Sequence, residues 1–284
     1  METGHLFMTK KEINREAEDT LEYYHKLSIQ VSLNGLSFCV LDTIGNTIPL
    51  SKRIDFGKQL SPYEVLKELK SLIRSEGILD YKYSDVVVIH RNTLFSLVPK
   101  DLFNVDDLAN YLKFNVKMLA NDLVVYDEIP NHDLVNVYVP FVNLNNYIYE
   151  LFGEFEFKHH GTILLDSLLN FHYKGKSSIC YVHADGDQID VTVLENKKLL
   201  FYNSFAISTK EDFIYYLLFT LEQLKLDPET VKVHLFGTIA EGDEYYEIGY
   251  EYIQNIAIFE PESDYQAMDE HDQDRVDFTV INAL

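Results

Sequence analysis

The fold is decided by two stretches that repeat one pattern, LSIQVSLNGLSFCVLD at residues 27–42 and SSICYVHADGDQIDVTVL at residues 177–194. In each stretch, two apolar runs rich in β-branched residues flank a short turn, Asn34-Gly35 in the first and Asp185-Gly186-Asp187 in the second. An Asn-Gly pair between apolar runs is the strongest short-range signal of a β-hairpin. The chain is therefore predicted to form the same kind of hairpin twice.

Both hairpins are followed by the same further elements. A third strand, a helix that starts at a capping box, and a β-branched fourth strand come next in each copy. In the first copy they lie at 47–54, Ser61–Gly77 and 85–89, and in the second at 199–204, Ser208–Pro228 and 231–236. The fourth strand of the first copy lacks polar alternation, which suits a strand buried on both faces. The order β-β-β-α-β thus occurs twice, which indicates a duplicated fold.

This order of elements is found in a known fold unit. Three antiparallel strands, a crossover helix and a parallel fourth strand make up the ribonuclease-H-like unit, and two facing units form the actin-like architecture. From Lys26 to Phe259 the chain resembles a Bacteroidetes family of unknown function, DUF3822, whose members adopt an actin-like ATPase fold. It is more distantly similar to actin-like scaffold proteins of type IV pilus assembly. The predicted fold class is α/β, a duplicated ribonuclease-H-like fold with two domains facing a cleft.

The sequence predicts four segments. They are a helical lead-in at 1–25, a first actin-like half at 26–174, a second half at 175–260 and an acidic tail at 261–284. Within the first half, 104–114 and 143–152 are predicted as helices, and 123–128 and 135–139 as paired strands. The tail is expected to be solvated because its charge density resists burial. Its apolar last residues, 278–284, are expected to pack back as a strand.

Composition excludes several classes of function. The 284 residues contain 46 acidic and 24 basic side chains, a formal charge of −22 that repels nucleic acid and anionic lipid. No apolar run reaches the roughly 18 residues of a membrane span, and the charged amino terminus does not look like a secretory signal. Both cysteines, Cys39 and Cys180, lie in strand patterns and are expected to be buried and reduced. A cytoplasmic location is the resulting expectation.

The resemblance implies where a nucleotide would bind. In nucleotide-binding members of the superfamily, the hairpins supply an Asp that positions hydrated magnesium and a glycine-rich turn that holds phosphate. The matching candidate residues here are Gln30, Asn34 and Gly35 in the first hairpin and His183, Asp185, Gly186 and Asp187 in the second. Gln30 and His183 stand where the resemblance implies Asp, and the acidic turn would repel phosphate. The resemblance therefore implies degraded nucleotide-binding motifs.

Gly237 and Thr238 follow the fourth strand of the second copy, where the superfamily has its adenosine loop. Contact with adenosine and an ordinary strand-to-helix turn are both open interpretations of these two residues. His90 and Arg91 follow the buried strand at 85–89, at the sheet end where open α/β folds often bind ligands, although such a pair can also simply end a strand.

His159 and His160, with His172 nearby, invite comparison with a metal site. Adjacent histidines cannot share one face of a helix or strand, and no further ligand completes a set. These histidines are predicted to mark the surface start of a helix.

The sequence favours a noncatalytic actin-like scaffold or protein-binding module, with no catalytic residue, no metal and no cofactor. Its partner would be another protein or a second copy of the chain. The alternative is a nucleotide-dependent switch or enzyme whose cleft retains ATP and magnesium binding. A structural dimerisation module is a third possibility. No nucleophile elbow, Walker loop, His-Glu-x-x-His or Cys-x-x-Cys motif occurs.

Overall fold

The computed structural model describes residues 23–119, 121–173, 175–261, 266–267 and 277–284. Most of the predicted lead-in helix at 1–25 lies outside these residues. The first half contains β1 His25–Val31, β2 Gly35–Asp42, β3 Thr47–Asp55, α1 Pro62–Ser75, β4 Tyr83–His90, β5 Phe95–Pro99, α2 Leu108–Leu112, β6 Val125–Glu128, β7 Leu134–Tyr138, α3 Val142–Phe152, β8 Glu156–His159 and α4 His160–Ser167.

The second half contains β9 Ile179–Asp185, β10 Gln188–Glu195, β11 Lys198–Ala206, α5 Lys210–Gln223, β12 Lys232–Gly237, α6 Glu244–Tyr252 and β13 Asn255–Ile258. The tail adds β14 Gln266–Ala267 and α7 Phe278–Asn282, and a π-helical turn, Leu168–His172, follows α4. No helix in the described part of the chain is long and apolar enough to cross a membrane.

The two large sheets have the same topology, which confirms the duplicated fold. The first has the order β14-β3-β2-β1-β4-β8 and the second β11-β10-β9-β12-β13. In both, three strands form an antiparallel meander, and the fourth strand pairs in parallel with the first. Each sheet then gains a further parallel strand, β8 or β13, which the sequence analysis did not predict.

The crossover helices begin at capping boxes. Ser61 and Glu64 cap α1 as predicted, and the helix buries Val65, Leu69 and other apolar residues against its sheet. For α5 the predicted N-cap, Ser208, was wrong by one residue. Thr209 is extended and accepts a hydrogen bond from the backbone of Asp212, whose carboxylate accepts the Thr209 N–H in return. This reciprocal pair satisfies two backbone donors of the first turn.

A small sheet is inserted between β4 and β8. Its order is β5-β7-β6, and the predicted pairing of β6 with β7 is confirmed, while β5 was not predicted. The helix predicted at 104–114 is a 3₁₀ turn at Val105–Asp107 followed by the short α2.

The tail ends differently from the prediction. Residues 278–284 do not form a strand, because Asp277 caps a short helix, α7, by accepting a hydrogen bond from the Thr279 N–H at 2.9 Å. Asp277, Phe278 and Val280 are buried, so this part of the tail is not solvated. Phe278 packs in a cluster with Phe236 of the second half, and Val280 packs in one with residues of the first sheet. Helix α7 therefore bridges the two halves.

Both cysteines are free and buried, as predicted. Cys39 lies in β2 and Cys180 in β9, one in each half. Burial raises the pKa of each thiol to about 12.

Candidate functional site

The predicted site residues lie where the carboxyl ends of β1 and β4 meet those of β9 and β12. The strand register gives the two halves matching backbone contacts here. The Arg91 N–H donates to the Val31 carbonyl at 2.9 Å, just as the Thr238 N–H donates to the Ala184 carbonyl at 2.9 Å. Gln30 and His183 immediately precede these acceptors, so they occupy matching positions at the ends of β1 and β9.

Arg91 is the centre of a set of buried charges between the halves. Its side chain is only 2% exposed. The guanidinium lies 2.8 Å from a carboxylate oxygen of Asp190 and 3.1 Å from one of Asp185. It also lies 3.3 Å from Nδ1 of His183. We call Arg53, Arg91, His160, His183, Asp185, Asp190 and Asp277 the central charge cluster.

Asp190 is the most enclosed acid of the central charge cluster. One of its oxygens lies 3.0 Å from Nε2 of His160 and accepts hydrogen bonds from the hydroxyls of Tyr202 and Ser204. Burial by itself raises the pKa of Asp190, but the charge of Arg91 and the interactions with His160 outweigh it and hold the pKa well below its ordinary value. Asp190 is therefore a carboxylate at neutral pH.

The tail closes the other side of the cluster. Nε2 of Gln30 donates to Asp277 at 2.9 Å and to Asp185 at 3.3 Å. Arg53 on β3 forms an ion pair with Asp185 and lies 3.6 Å from Asp277. Burial tends to raise the pKa of Asp277, but interactions with His183, the arginines and the Thr279 hydroxyl bring it below the ordinary value. A carboxylate from the tail thus occupies the space beside Gln30.

The two hairpin turns also touch each other. The side-chain amide of Asn34 donates to the carboxylate of Asp187. Gly35 allows β2 to run close to β3, because a Cβ at Gly35 would lie 2.5 Å from the carbonyl oxygen of Ile54. Gly186 has a φ of 61°, which suits the tight turn before Asp187. The turns thereby bring six predicted residues together with a seventh, His183. The six are Gln30, Asn34, Gly35, Asp185, Gly186 and Asp187.

Gly237 lies beside His183 of the central charge cluster, because a Cβ at Gly237 would be 2.9 Å from the His183 ring. Gly237 has a φ of 89°, and a Cβ there would collide with the carbonyl oxygen of Ala184. The glycine is thus required by the strand-to-helix turn itself. Thr238 is exposed.

The His90 side chain forms its hydrogen bonds with residues outside the central charge cluster. Its Nδ1 accepts the Phe141 N–H at 3.2 Å and its Nε2 lies 2.9 Å from the side-chain oxygen of Asn145. Burial lowers the pKa of His90 to about 3, so the ring is neutral.

The prediction that His159 and His160 lie at the surface was wrong, because both are completely buried. His159 lies 3.0 Å from the Asn92 carbonyl oxygen, and His160 faces Asp190. Burial lowers the pKa of both rings. Nothing is described of the His172 side chain, and the described residues contain no group of three or more His, Cys, Asp or Glu side chains suited to a metal ion.

The remaining space between the hairpins is small. A cavity of about 20 Å³ is lined by residues that include Gln30, Asn34, Gly35, Arg53, Arg91 and Asp185. Pockets for small molecules and cofactors have volumes of about 300–1,000 Å³. The cavity between the hairpins is far smaller than this range.

The sequence pattern indicated Arg91 beside His90 but not several other members of the cluster. These are Arg53, His160 as a partner of Asp190, Asp190 itself, and Asp277. One signal was present in the sequence: Asp190 is a lone acid in the apolar run Ile189–Leu194, and a buried strand retains a charge only when that charge is paired.

Comparison with known families agrees with this architecture. The family model described as "Protein of unknown function (DUF3822)" matches residues 15–256. The chain belongs to the DUF3822 family. No curated protein sequence matched it.

Solved structures share the fold of this DUF3822 protein. A Bacteroides thetaiotaomicron VPI-5482 protein with an actin-like ATPase fold and unknown function superimposes with a TM-score of 0.74 at 25% identity, covering 86% of this chain and 94% of that one. A chain of the PilM–PilN type IV pilus biogenesis complex gives a TM-score of 0.55 at 10% identity, covering 91% and 97%. The second likeness shows the fold alone. The predicted actin-like ATPase fold is confirmed.

Proposed function

We propose that this protein is a noncatalytic actin-like scaffold that binds a protein partner and does not use ATP. The observation that carries the proposal is the central charge cluster, which joins the two halves directly at the place where the resemblance implies a nucleotide. The acidic surface and the two reduced, buried thiols support a cytoplasmic location as part of this proposal. The boundaries 26–174 and 175–260 are proposed as its two domains.

Electrostatics support the absence of a nucleotide. Asp185, Asp187 and Asp277 bring carboxylates to the hairpins whose backbone would hold phosphate. Arg53 and Arg91 are already paired with Asp185, Asp190 and Asp277. A polyphosphate entering here would meet three acids, and no arginine of the cluster would be unpaired. Its binding would therefore be electrostatically unfavourable.

Opening the cleft between the two halves would also require free energy. Separating the halves would leave buried charges without partners, and loss of one partner of a buried pair costs about 3–5 kcal/mol. The closed form is therefore suited to a rigid body that presents its outer surface. A protein partner fits this arrangement better than a small ligand that must enter the cleft.

The test is thermal unfolding of the full chain with and without magnesium-ATP and magnesium-ADP. A ligand at 100 times its dissociation constant stabilises a fold by about 2.7 kcal/mol, which raises the unfolding temperature by several degrees. We expect no shift. A clear upward shift that disappears in Thr238→Trp would contradict the proposal and support the nucleotide-dependent switch, in which Gly237 and Thr238 contact adenosine.

A further inference from the structure

The turn of the first hairpin contains a chemically labile pair of residues. Asn34-Gly35 is the one Asn-Gly pair among the 284 residues. In such a pair the main-chain nitrogen after asparagine can attack the side-chain amide carbon, and glycine hinders this attack least because it has no side chain. The fold also requires this glycine, since a Cβ at Gly35 would lie 2.5 Å from the Ile54 carbonyl oxygen. The labile pair therefore cannot be removed by replacing its glycine.

The attacking nitrogen is held by a side chain. The Gly35 N–H donates to the Ser32 hydroxyl oxygen at 2.9 Å, and the Asn34 N–H donates to the same oxygen at 3.2 Å. Neither bond belongs to the strand ladder, so rotation of the Ser32 side chain releases both without separating β1 from β2. Asn34 is partly exposed, so water reaches the turn. The attack therefore needs only a local rearrangement.

We propose that Asn34 is a site of spontaneous deamidation that weakens the contact between the two hairpins. The Gly35 nitrogen gives up its proton to solvent and bonds to Cγ of Asn34. The bond from Cγ to the amide nitrogen then breaks, which releases ammonia and leaves a cyclic succinimide. Water opens this ring and leaves a carboxylate at position 34, on either an aspartate or an isoaspartate. The balance is one water consumed and one ammonia released, with no oxidant or reductant.

The product reverses the sign of the contact between the hairpins. The side-chain amide of Asn34 donates a hydrogen bond to the Asp187 carboxylate. A carboxylate at position 34 has no proton to donate and repels Asp187. Asp55 and Asp185 line the cavity beside Asn34, and Arg53, which also lines it, is already paired with Asp185. Deamidation therefore replaces a bond between the two halves by a repulsion.

The second hairpin contains a related pair that its charges protect. Asp185-Gly186 is the one Asp-Gly pair of the chain. Aspartate can form the same cyclic succinimide, but from the neutral carboxyl group, because a carboxylate is a poor target for the attacking nitrogen. Asp185 forms an ion pair with Arg53 and lies 3.1 Å from the Arg91 guanidinium. The chemistry is therefore directed to Asn34, and this inference does not depend on the proposed function.

Peptide mass analysis of the full chain, incubated at mildly alkaline pH and sampled over time, tests the site. We expect Asn34 to gain the mass of an amide-to-acid change before Asn46 and Asn196 do. These two are the matched controls within the same sample, because both lie in exposed hairpin turns but precede Thr47 and Lys197 instead of glycine. An Asn34 amide that lasts as long as those of Asn46 and Asn196 would overturn the inference.

Urea denaturation of full-chain variants tests the consequence. Asn34→Asp reproduces the product and should unfold at a lower urea concentration than Asn34→Ala, which removes the donor without adding a charge. High salt should narrow this gap, because it screens the repulsion between exposed carboxylates. The control Asn46→Asp adds the same charge at the opposite end of the first sheet and should unfold like the parent. Equal midpoints for Asn34→Asp and Asn34→Ala, or an equal loss in Asn46→Asp, would contradict the inference.

Discussion

The two halves share one strand order but bring opposite charges to their interface. The first half supplies Arg53 and Arg91, and the second supplies Asp185 and Asp190. Arg91 occupies the position that Thr238 has in the other half. Matched backbone positions in the two halves thus carry different side chains, a buried cation in the first half and an exposed hydroxyl in the second. The buried guanidinium of Arg91 finds its carboxylate partners, Asp185 and Asp190, in the other half, so the interface supports the fold of the first half as well as joining the two.

The largest expected effect comes from breaking this complementarity. Arg91→Met keeps the apolar stem but leaves Asp190 buried without its guanidinium, which should lower the free energy of unfolding by about 3–5 kcal/mol. Urea denaturation at neutral pH measures this. Lys52→Met is the control, since the Lys52–Glu76 pair is partly exposed and should cost no more than about 1 kcal/mol. Equal losses in the two variants would show that the central charge cluster contributes no more than a surface pair.

The second prediction uses a histidine that only the first half has at this position. His90 ends β4, where β12 ends in Gly237. Its folded pKa is about 3, whereas an unfolded histidine titrates near about 6.5. As pH falls below the unfolded value, the unfolded chain binds a proton that the folded chain does not. The free energy of unfolding should therefore fall by up to about 1.4 kcal/mol per pH unit between these two pKa values.

Denaturant unfolding of the parent and of His90→Gln from neutral pH down to about pH 4.5 measures the difference. The parent should show the steeper loss. His159 and His160 act in the same direction, and Asp127, whose pKa burial raises to about 6, acts in the opposite one, so the parent-to-variant difference isolates His90. Asp190 has a lowered pKa, so its contribution is lost only below the ordinary carboxyl range of about 3.9. If the free energy of unfolding of the parent and of His90→Gln falls equally with pH, the lowered pKa assigned to His90 is wrong.

The smallest expected effect concerns the N-terminal caps of the crossover helices α1 and α5, which the two halves have in common. Ser61→Ala and Thr209→Ala each remove the side-chain cap of a crossover helix and should each cost about 1 kcal/mol. Chemical denaturation compares the two. Ser208→Ala is the control, because Ser208 donates its backbone N–H to Asp212 and alanine retains that group. A loss from Ser208→Ala as large as from Thr209→Ala would place the cap at the residue that the sequence suggested.

Local patterns predicted the meanders, the crossover helices and the fourth strands, because hairpin turns, capping boxes and apolar periodicity are encoded by neighbouring residues. The tail shows where this fails. Phe278, Val280 and Ile281 have β-branched and aromatic side chains that favour a strand, yet they form α7. The Ser28 hydroxyl donates to the Val280 carbonyl at 2.6 Å, a contact across 252 residues. Such tertiary contacts override local propensity.

The candidate site was predicted only in part, because it also depends on tertiary contacts. The register of the hairpins brings Gln30 and His183 to matching positions, as the aligned patterns indicated. Asp190, a partner of Arg91, lies 99 residues away along the chain, and Asp277, a partner of Gln30, lies 247 residues away. His160 was misjudged as a surface residue because its acceptor, Asp190, belongs to the other half. Burial of a polar side chain depends on partners that spacing in one segment does not reveal.

The two buried cysteines give each half its own chemical reporter. Cys39 lies in the first sheet and Cys180 in the second, and a thiol with a pKa of about 12 is almost entirely unreactive until its strand opens. Alkylation followed by peptide mass analysis would therefore time the opening of the two halves separately in one sample. If the halves support each other as their charges indicate, both thiols become labelled at the same rate.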